Sequence, residues 1–187
     1  MVPDYIDDTS ISNDEILFRR VKLKVDLITF DPDSSKLRPT STAFKNTVKE
    51  LPLPEDAAPG TEPERVETYM SVFMQARLET LNLTSEQVLE GVTDFVLVRL
   101  KAQEVRERGI AKGVPQQIFH APEPPPPPCN EAHGGVAGKK SKDIRKDFSD
   151  RAVWIVRPSI EWVIENRETL RIPQDFSVEA EFENLFS

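Results

Sequence analysis

Phe95-Val96-Leu97-Val98-Arg99-Leu100, followed after Lys101 by Ala102-Gln103-Glu104-Val105-Arg106-Glu107-Arg108, decides how this chain folds. The first six residues crowd β-branched and aromatic side chains together, the composition of a pleated and largely buried strand. Four of the next seven are charged, and Gly109 stops them, so they predict a charged surface helix. A strand that feeds directly into a helix needs a sheet to join. Tyr69-Met70-Ser71-Val72-Phe73-Met74 supplies a second strand, apolar on both faces and therefore interior. Upstream, Ile16-Leu17-Phe18 leads into Val21, Leu23, Val25 and Leu27, which alternate with Lys22, Lys24 and Asp26 as a half-buried strand does. Arg38-Pro39-Thr40-Ser41-Thr42-Ala43-Phe44 reads as an edge strand or extended loop, because proline removes a ladder donor. Thr84-Ser85-Glu86-Gln87 has the form of a capping box ahead of a short helix that Gly91 ends. Together these elements predict an α+β fold: one small mixed sheet of roughly four to five strands, with about two to three helices, a polyproline spacer and acidic tails.

Composition sets the outer bounds. With 187 residues, 38% apolar and 30% charged, and sixteen prolines against seven glycines, the chain predicts a modest core with long irregular flanks. No apolar run approaches the roughly 18 residues of a membrane helix, and the acidic start Met1-Val2-Pro3-Asp4-Tyr5-Ile6-Asp7-Asp8 is unlike a signal peptide. One cysteine, Cys129, excludes an internal disulfide and a Cys-rich zinc module, so a reducing cytoplasm is the expected compartment. A formal charge of −8 argues against nucleic acid as the main target. The charge is uneven: residues 1–15 carry five acids and no base, and 159–187 carry seven acids against Arg167 and Arg171. Residues 138–151 hold six bases against three aspartates. The expected divisions are a disordered acidic leader (1–13), a core (14–120), a stiff polyproline spacer (121–132), a Gly/Lys loop with an amphipathic helix packing on the core (133–158), and an acidic tail (159–187).

The basic segment is the main functional candidate. His133-Gly134-Gly135-Val136-Ala137-Gly138-Lys139-Lys140-Ser141 runs into Lys142-Asp143-Ile144-Arg145-Lys146 and places lysines where a helix begins. A helix N-terminus carries about +0.5 of an elementary charge and normally repels lysine. The glycine spacing is one residue short of the nucleotide hydrolases' phosphate loop, Lys140 stands where that loop needs Ser or Thr, and prolines rather than a strand lead in. What remains is a looser anion or partner site made of Gly134, Gly135, Gly138, Lys139, Lys140, Ser141, Lys142 and Arg145. Gly134–Gly138 would act as a hinge between spacer and helix, with Ile144, Phe148, Ala152 and Ile155 along one helical face.

Three blocks, Asp14-Glu15-Ile16-Leu17-Phe18-Arg19-Arg20, Arg38-Pro39-Thr40-Ser41-Thr42-Ala43-Phe44 and Ser71-Val72, resemble a group of small bacterial proteins that carry no assigned activity. Those proteins also tend to end in a His-, Gly- and Lys-bearing segment like His133–Lys142. The resemblance covers roughly residues 14–158 and implies a bacterial cytoplasmic origin and a single small mixed domain. It implies no mechanism.

Other constellations are thinner. Cys129, His133, His120 and Glu131 contain zinc-ligand residue types, but a stiff proline run between His120 and Cys129 would keep them apart, so no metal is expected. A Cys129–His133 nucleophile pair lacks an orienting third group. Arg19 or Arg20, then Thr40-Ser41-Thr42, then Glu179-Ala180-Glu181 follow the order of the Arg, Ser-Thr-Ser and Glu-x-Glu motifs of ADP-ribosyltransferases, but an acidic tail produces Glu-x-Glu by chance. Arg19, Arg20 and His133 stay as secondary site candidates. No catalytic residue and no cofactor follow from these patterns. The expectation is a non-catalytic binding or adaptor subunit that docks acidic protein partners through the Gly/Lys loop, the alternative being a small enzyme or ligand-binding domain acting on a phosphorylated or nucleotide compound.

Overall fold

The computed structural model describes residues 5–50, 58, 61–63 and 65–186. Residues 50–64, which hold Pro52, Pro54, Pro59 and Pro63 and read from the sequence as a loop or mobile insert, lie mostly outside them. The main sheet is antiparallel, with six strands: β1 (Ile16–Lys22), β6 (Met70–Met74), β7 (Phe95–Lys101), β8 (Gln117–His120), β9 (His133–Ala137) and β10 (Val153–Val156), in the order β10-β7-β1-β6-β9-β8. Two short ribbons pair β2 (Ile28–Asp31) with β3 (Lys36–Pro39) and β4 (Val48–Glu50) with β5 (Arg65–Glu67). The α-helices are α1 (Gln75–Thr80), α2 (Ala102–Ala111), α3 (Lys142–Arg151), α4 (Ile160–Glu165), α5 (Arg167–Leu170) and α6 (Val178–Glu181). The expected α+β class is observed, with a larger sheet and more helices than the sequence patterns called for.

Both faces of the sheet are covered, which is why β6 and β7 are apolar at successive positions. On one face Leu17, Val21, Val98, Met70 and Val136 pack against Val105 of α2, Ile144 and Phe148 of α3, and Phe44. On the other, Phe18, Phe73 and Leu97 meet Leu78 of α1, Val88, Cys129 and Ala132.

Four expectations are corrected. Residues 5–13 are not a free leader: Asp8 N–H donates to the Ile118 carbonyl (2.8 Å), Ile118 N–H donates to Asp7 (2.7 Å), and Arg106 pairs with Asp7 at 3.1 Å. This segment closes the edge of β8, which would otherwise present open backbone groups. The proline run is not a stiff extension, since Glu123 N–H reaches the Asn130 carbonyl (2.9 Å) and the Asn130 amide reaches the Pro124 carbonyl (2.8 Å). The run loops out and returns through a 3-10 turn, Pro128–Ala132, that buries Cys129 and Ala132.

The amphipathic helix ends at Arg151 rather than near Pro158, because Val153-Trp154-Ile155-Val156 pairs with β7. Tertiary pairing of a β-branched run overrides the helical period. Finally, the acidic tail is part of the fold. Ser159 and Ser177 cap α4 and α6, and Val163, Leu170, Val178 and Leu185 are all buried in the main core.

Candidate functional site

The site begins with a break in the sheet. β1 pairs with β7 over seven residues, Ile16 to Lys22, but with β6 only at Leu17↔Met74 and Phe18↔Phe73. Beyond Phe18 the two strands part, and the Arg19 guanidinium spans the gap. Its Nη1 donates to the Ser71 carbonyl (2.9 Å), and Nε and Nη2 both reach the Ala43 carbonyl (3.3 Å each). A side chain thus takes the place of ladder bonds. The fissure opens into a cavity of about 340 Å³ lined by Arg19, Arg20, Val21, Lys22, Leu27, Thr42, Ala43, Ser71, Phe73, Phe95, Glu123 and His133. That volume lies at the small end of ligand pockets, which run from about 300 to 1,000 Å³.

Three cations and one carboxylate line this cavity in a chain whose net charge is −8. Arg19 has no carboxylate within 4 Å among the described residues, and burial pulls its guanidinium down to about 10. It stays protonated at neutral pH, so an anion entering the cavity meets a cation that has no carboxylate within 4 Å among the described residues. Arg20, on the opposite face of β1, is held differently. It lies over the Phe73 ring (4.4 Å to the centroid), with Nε donating to the Val88 carbonyl (2.8 Å) and Nη2 3.5 Å from Cys129 Sγ. Burial raises the Cys129 thiol, and Arg20 partly offsets that by favouring thiolate.

His133 opens β9 opposite Phe73 and is almost wholly buried. Its Nδ1 lies 2.8 Å from the Ala121 carbonyl, which can only accept, so Nδ1 carries the proton of the neutral ring. The Nε2 lone pair then faces the Ser71 hydroxyl, which donates to it. Glu123 Oε1 stands 3.8 Å from Nε2. Phe73 and Tyr69, with ring centroids at 5.4 and 6.1 Å, wall the imidazole on its sides. Burial, and then the Glu123 charge, raises the Tyr69 phenol.

The residues expected to form a Gly/Lys loop are dispersed. Gly134 and Gly135 lie inside β9, and their missing side chains serve packing on both sheet faces. A Cβ at Gly134 would strike Met74, and one at Gly135 would strike the Phe119 and Tyr69 rings. Gly138, at φ +111°, makes the turn that glycine alone accepts readily. The hinge is therefore a strand end. Lys140 is buried, donating to Asn46 Oδ1 (2.6 Å) and the Val136 carbonyl (2.7 Å). Ser141 caps α3 by accepting from Ile144 N–H, and Arg145 Nε returns to the Ser141 carbonyl. Lys139 and Lys142 remain exposed at the surface.

Of the secondary candidates, Arg19, Arg20 and His133 come together around one cavity. The Thr40-Ser41-Thr42 segment touches it through Thr42, whereas Glu179 and Glu181 sit on α6 and do not line it. Among the described residues no group of three or more His, Cys, Asp or Glu side chains is placed to hold a metal, and no helix is long and apolar enough to cross a membrane. Ser71 and Glu123 were missed. Ser71 is the one polar residue in Tyr69–Met74 apart from the Tyr69 hydroxyl, and a lone serine in an interior strand was the available signal. The sequence blocks quoted for the bacterial resemblance contribute Arg19, Arg20, Thr42, Ala43, Ser71 and His133 to this cavity. Set beside known proteins, the chain matches no protein-family model, no curated protein sequence and no solved structure.

Proposed function

We propose that this chain binds a small phosphorylated compound in the fissure between β1 and β6. The observation that carries the reading is Arg19, a half-buried guanidinium fixed by two backbone carbonyls, without a carboxylate partner among the described residues, and lining a cavity it shares with Arg20 and Lys22. A planar guanidinium fork suits a phosphate, and neutralising a half-buried cation favours the bound state. The cavity's size fits a compact ligand rather than a macromolecule. A reducing cytoplasm is the compartment that suits the free, buried Cys129.

Calorimetric titration of the full chain with phenyl phosphate, and with phenol as its uncharged counterpart, tests this. Phenyl phosphate binds and phenol does not. Arg19→Met weakens binding by about 10- to 150-fold, from roughly 1.5–3 kcal/mol for a charged hydrogen bond. Equal behaviour of the two compounds overturns the reading. A second reading, docking of an acidic protein partner, is favoured by the exposure of Lys139 and Lys142 beside the start of α3. Lys139→Ala/Lys142→Ala removes partner capture under that reading and leaves phenyl phosphate binding unchanged under the first.

A further inference from the structure

We infer that Ser71 is a nucleophile that accepts the phosphoryl group of a phosphomonoester bound in the fissure, with His133 as its base. This deepens the phosphorylated-ligand reading above and rests on it. Ala121 fixes the tautomer that turns the Nε2 lone pair toward Ser71 Oγ, so the base is already directed at the proton it must remove. Ser71 stands where β6 has parted from β1, and its hydroxyl and imidazole partner both line the cavity. Two arginines and a lysine line the same cavity as this serine–histidine pair. The Ser71 carbonyl also holds Arg19 Nη1, so nucleophile and cation are tied through one residue. Arg19 and Ser71 line the same cavity, so a phosphoryl group drawn to Arg19 enters the cavity that holds the Ser71–His133 pair. Glu123, 3.8 Å from Nε2, stabilises the imidazolium once it forms.

The chemistry balances with water as the one further reactant. Nε2 takes the Ser71 proton, the Oγ–P bond forms, and the bond from phosphorus to the ester oxygen breaks in line on the open side of the cavity. The departing alkoxide takes a proton from water and leaves hydroxide. That hydroxide attacks phosphorus from the same open side, the Oγ–P bond breaks, and Oγ takes its proton back from Nε2. The net change is hydrolysis to an alcohol and inorganic phosphate. The cations stabilise charge on the equatorial oxygens in both transfers.

The test uses the full chain with p-nitrophenyl phosphate, read as nitrophenolate release, together with acid quenching and mass mapping of phosphoserine. The expected result is turnover with phosphate on Ser71. Ser71→Ala abolishes the modification and lowers turnover by at least about 100-fold, while inorganic phosphate still binds within about twofold of wild type. His133→Gln, which keeps a hydrogen-bonding amide but no base, binds phosphate and does not turn over. Wild type that binds inorganic phosphate but never carries phosphoserine at Ser71 overturns the inference and leaves the binding reading standing. Wild type that binds no phosphate overturns both. Turnover that survives in Ser71→Ala, or acetylation of Ser71 by p-nitrophenyl acetate without phosphorylation by the phosphate ester, also overturns it.

Discussion

Leu185→Ala separates a folded tail from a detachable one. Leu185 is fully buried in the 3-10 turn Asn184–Phe186, within the same core as Leu37, Val178 and the partly buried Trp154. Truncation to alanine removes three buried carbons, about 2.4 kcal/mol at roughly 0.8 kcal/mol per methylene. A residual cavity adds to this. A short 3-10 turn can partly relax into the space, however, which keeps the total near 2–3.5 kcal/mol, in the lower part of the range of about 2–5 for such changes. That is a large share of a typical total stability of about 5–15 kcal/mol. In urea the midpoint falls by roughly 1 M or more with an unchanged slope, and Tm falls by about 5–10 °C. Tryptophan emission is a direct monitor, because the Trp154 ring lies 5.6 Å from Phe186 and its indole N–H donates to the Leu37 carbonyl at 2.9 Å. A shift below about 0.5 kcal/mol, the scale of a surface substitution, would mean that the tail is not part of the cooperative core.

Gly135→Ala places a methyl against the Phe119 and Tyr69 rings and costs about 1–3 kcal/mol by overpacking, measured by thermal denaturation; a neutral result removes the packing role assigned to that glycine. Lys140→Ala leaves Asn46 Oδ1 and the Val136 carbonyl without their donor and lowers stability by roughly 1–3 kcal/mol, whereas a phosphate-binding lysine would lower affinity and spare stability. Asp7→Ala removes the acceptor for Ile118 N–H and the partner of Arg106, and hydrogen exchange at Ile118 speeds up if residues 5–13 close the β8 edge. Because burial raises the Cys129 thiol, its contribution is complete below the unfolded thiol pKa of about 8.5 and is lost as pH rises through the folded value. Wild type therefore loses stability above about pH 8.5 relative to Cys129→Ala, and a thiol reagent labels the native chain only as fast as it opens; immediate labelling refutes the burial argument.

The elements legible in the sequence were those whose local pattern agreed with their final surroundings. β7, α2 and β6 fall close to the residues that composition and period assigned to them, because strand propensity and two-sided burial point the same way. Misreadings arose where a local signal met a stronger distant one. Val153–Val156 continues the helical period of Ile144 and Phe148, yet it is a strand, since β7 offers it a ladder that sequence alone cannot display. His133–Ala137 carries two glycines and looks like a loop, although the glycines are what let Met74, Phe119 and Tyr69 approach the strand on both faces. The proline run suggests a rod, but Asn130 ties it back on itself.

The site was half visible for a related reason. Strand side chains alternate, so adjacent arginines on one strand must point to opposite faces. On a sheet with one wet face, one of them escapes to solvent. On this sheet both faces are covered, and Arg19 and Arg20 must each find partners inside. Arg20 finds Phe73 and the Val88 carbonyl on one side. Among the described residues Arg19 finds the backbone of Ser71 and Ala43, and it can do so because β6 has left β1 at that point. The break in the ladder and the half-buried cation therefore require each other: closing the ladder would strand the guanidinium, and removing the guanidinium would leave the Ser71 and Ala43 carbonyls without this donor. An Arg-Arg pair in a strand flanked by two apolar interior strands is thus a sequence-level sign of a fissure. What the sequence alone could not supply was the cross-strand register that sets Phe73 opposite His133 and so brings the imidazole to the Ser71 hydroxyl.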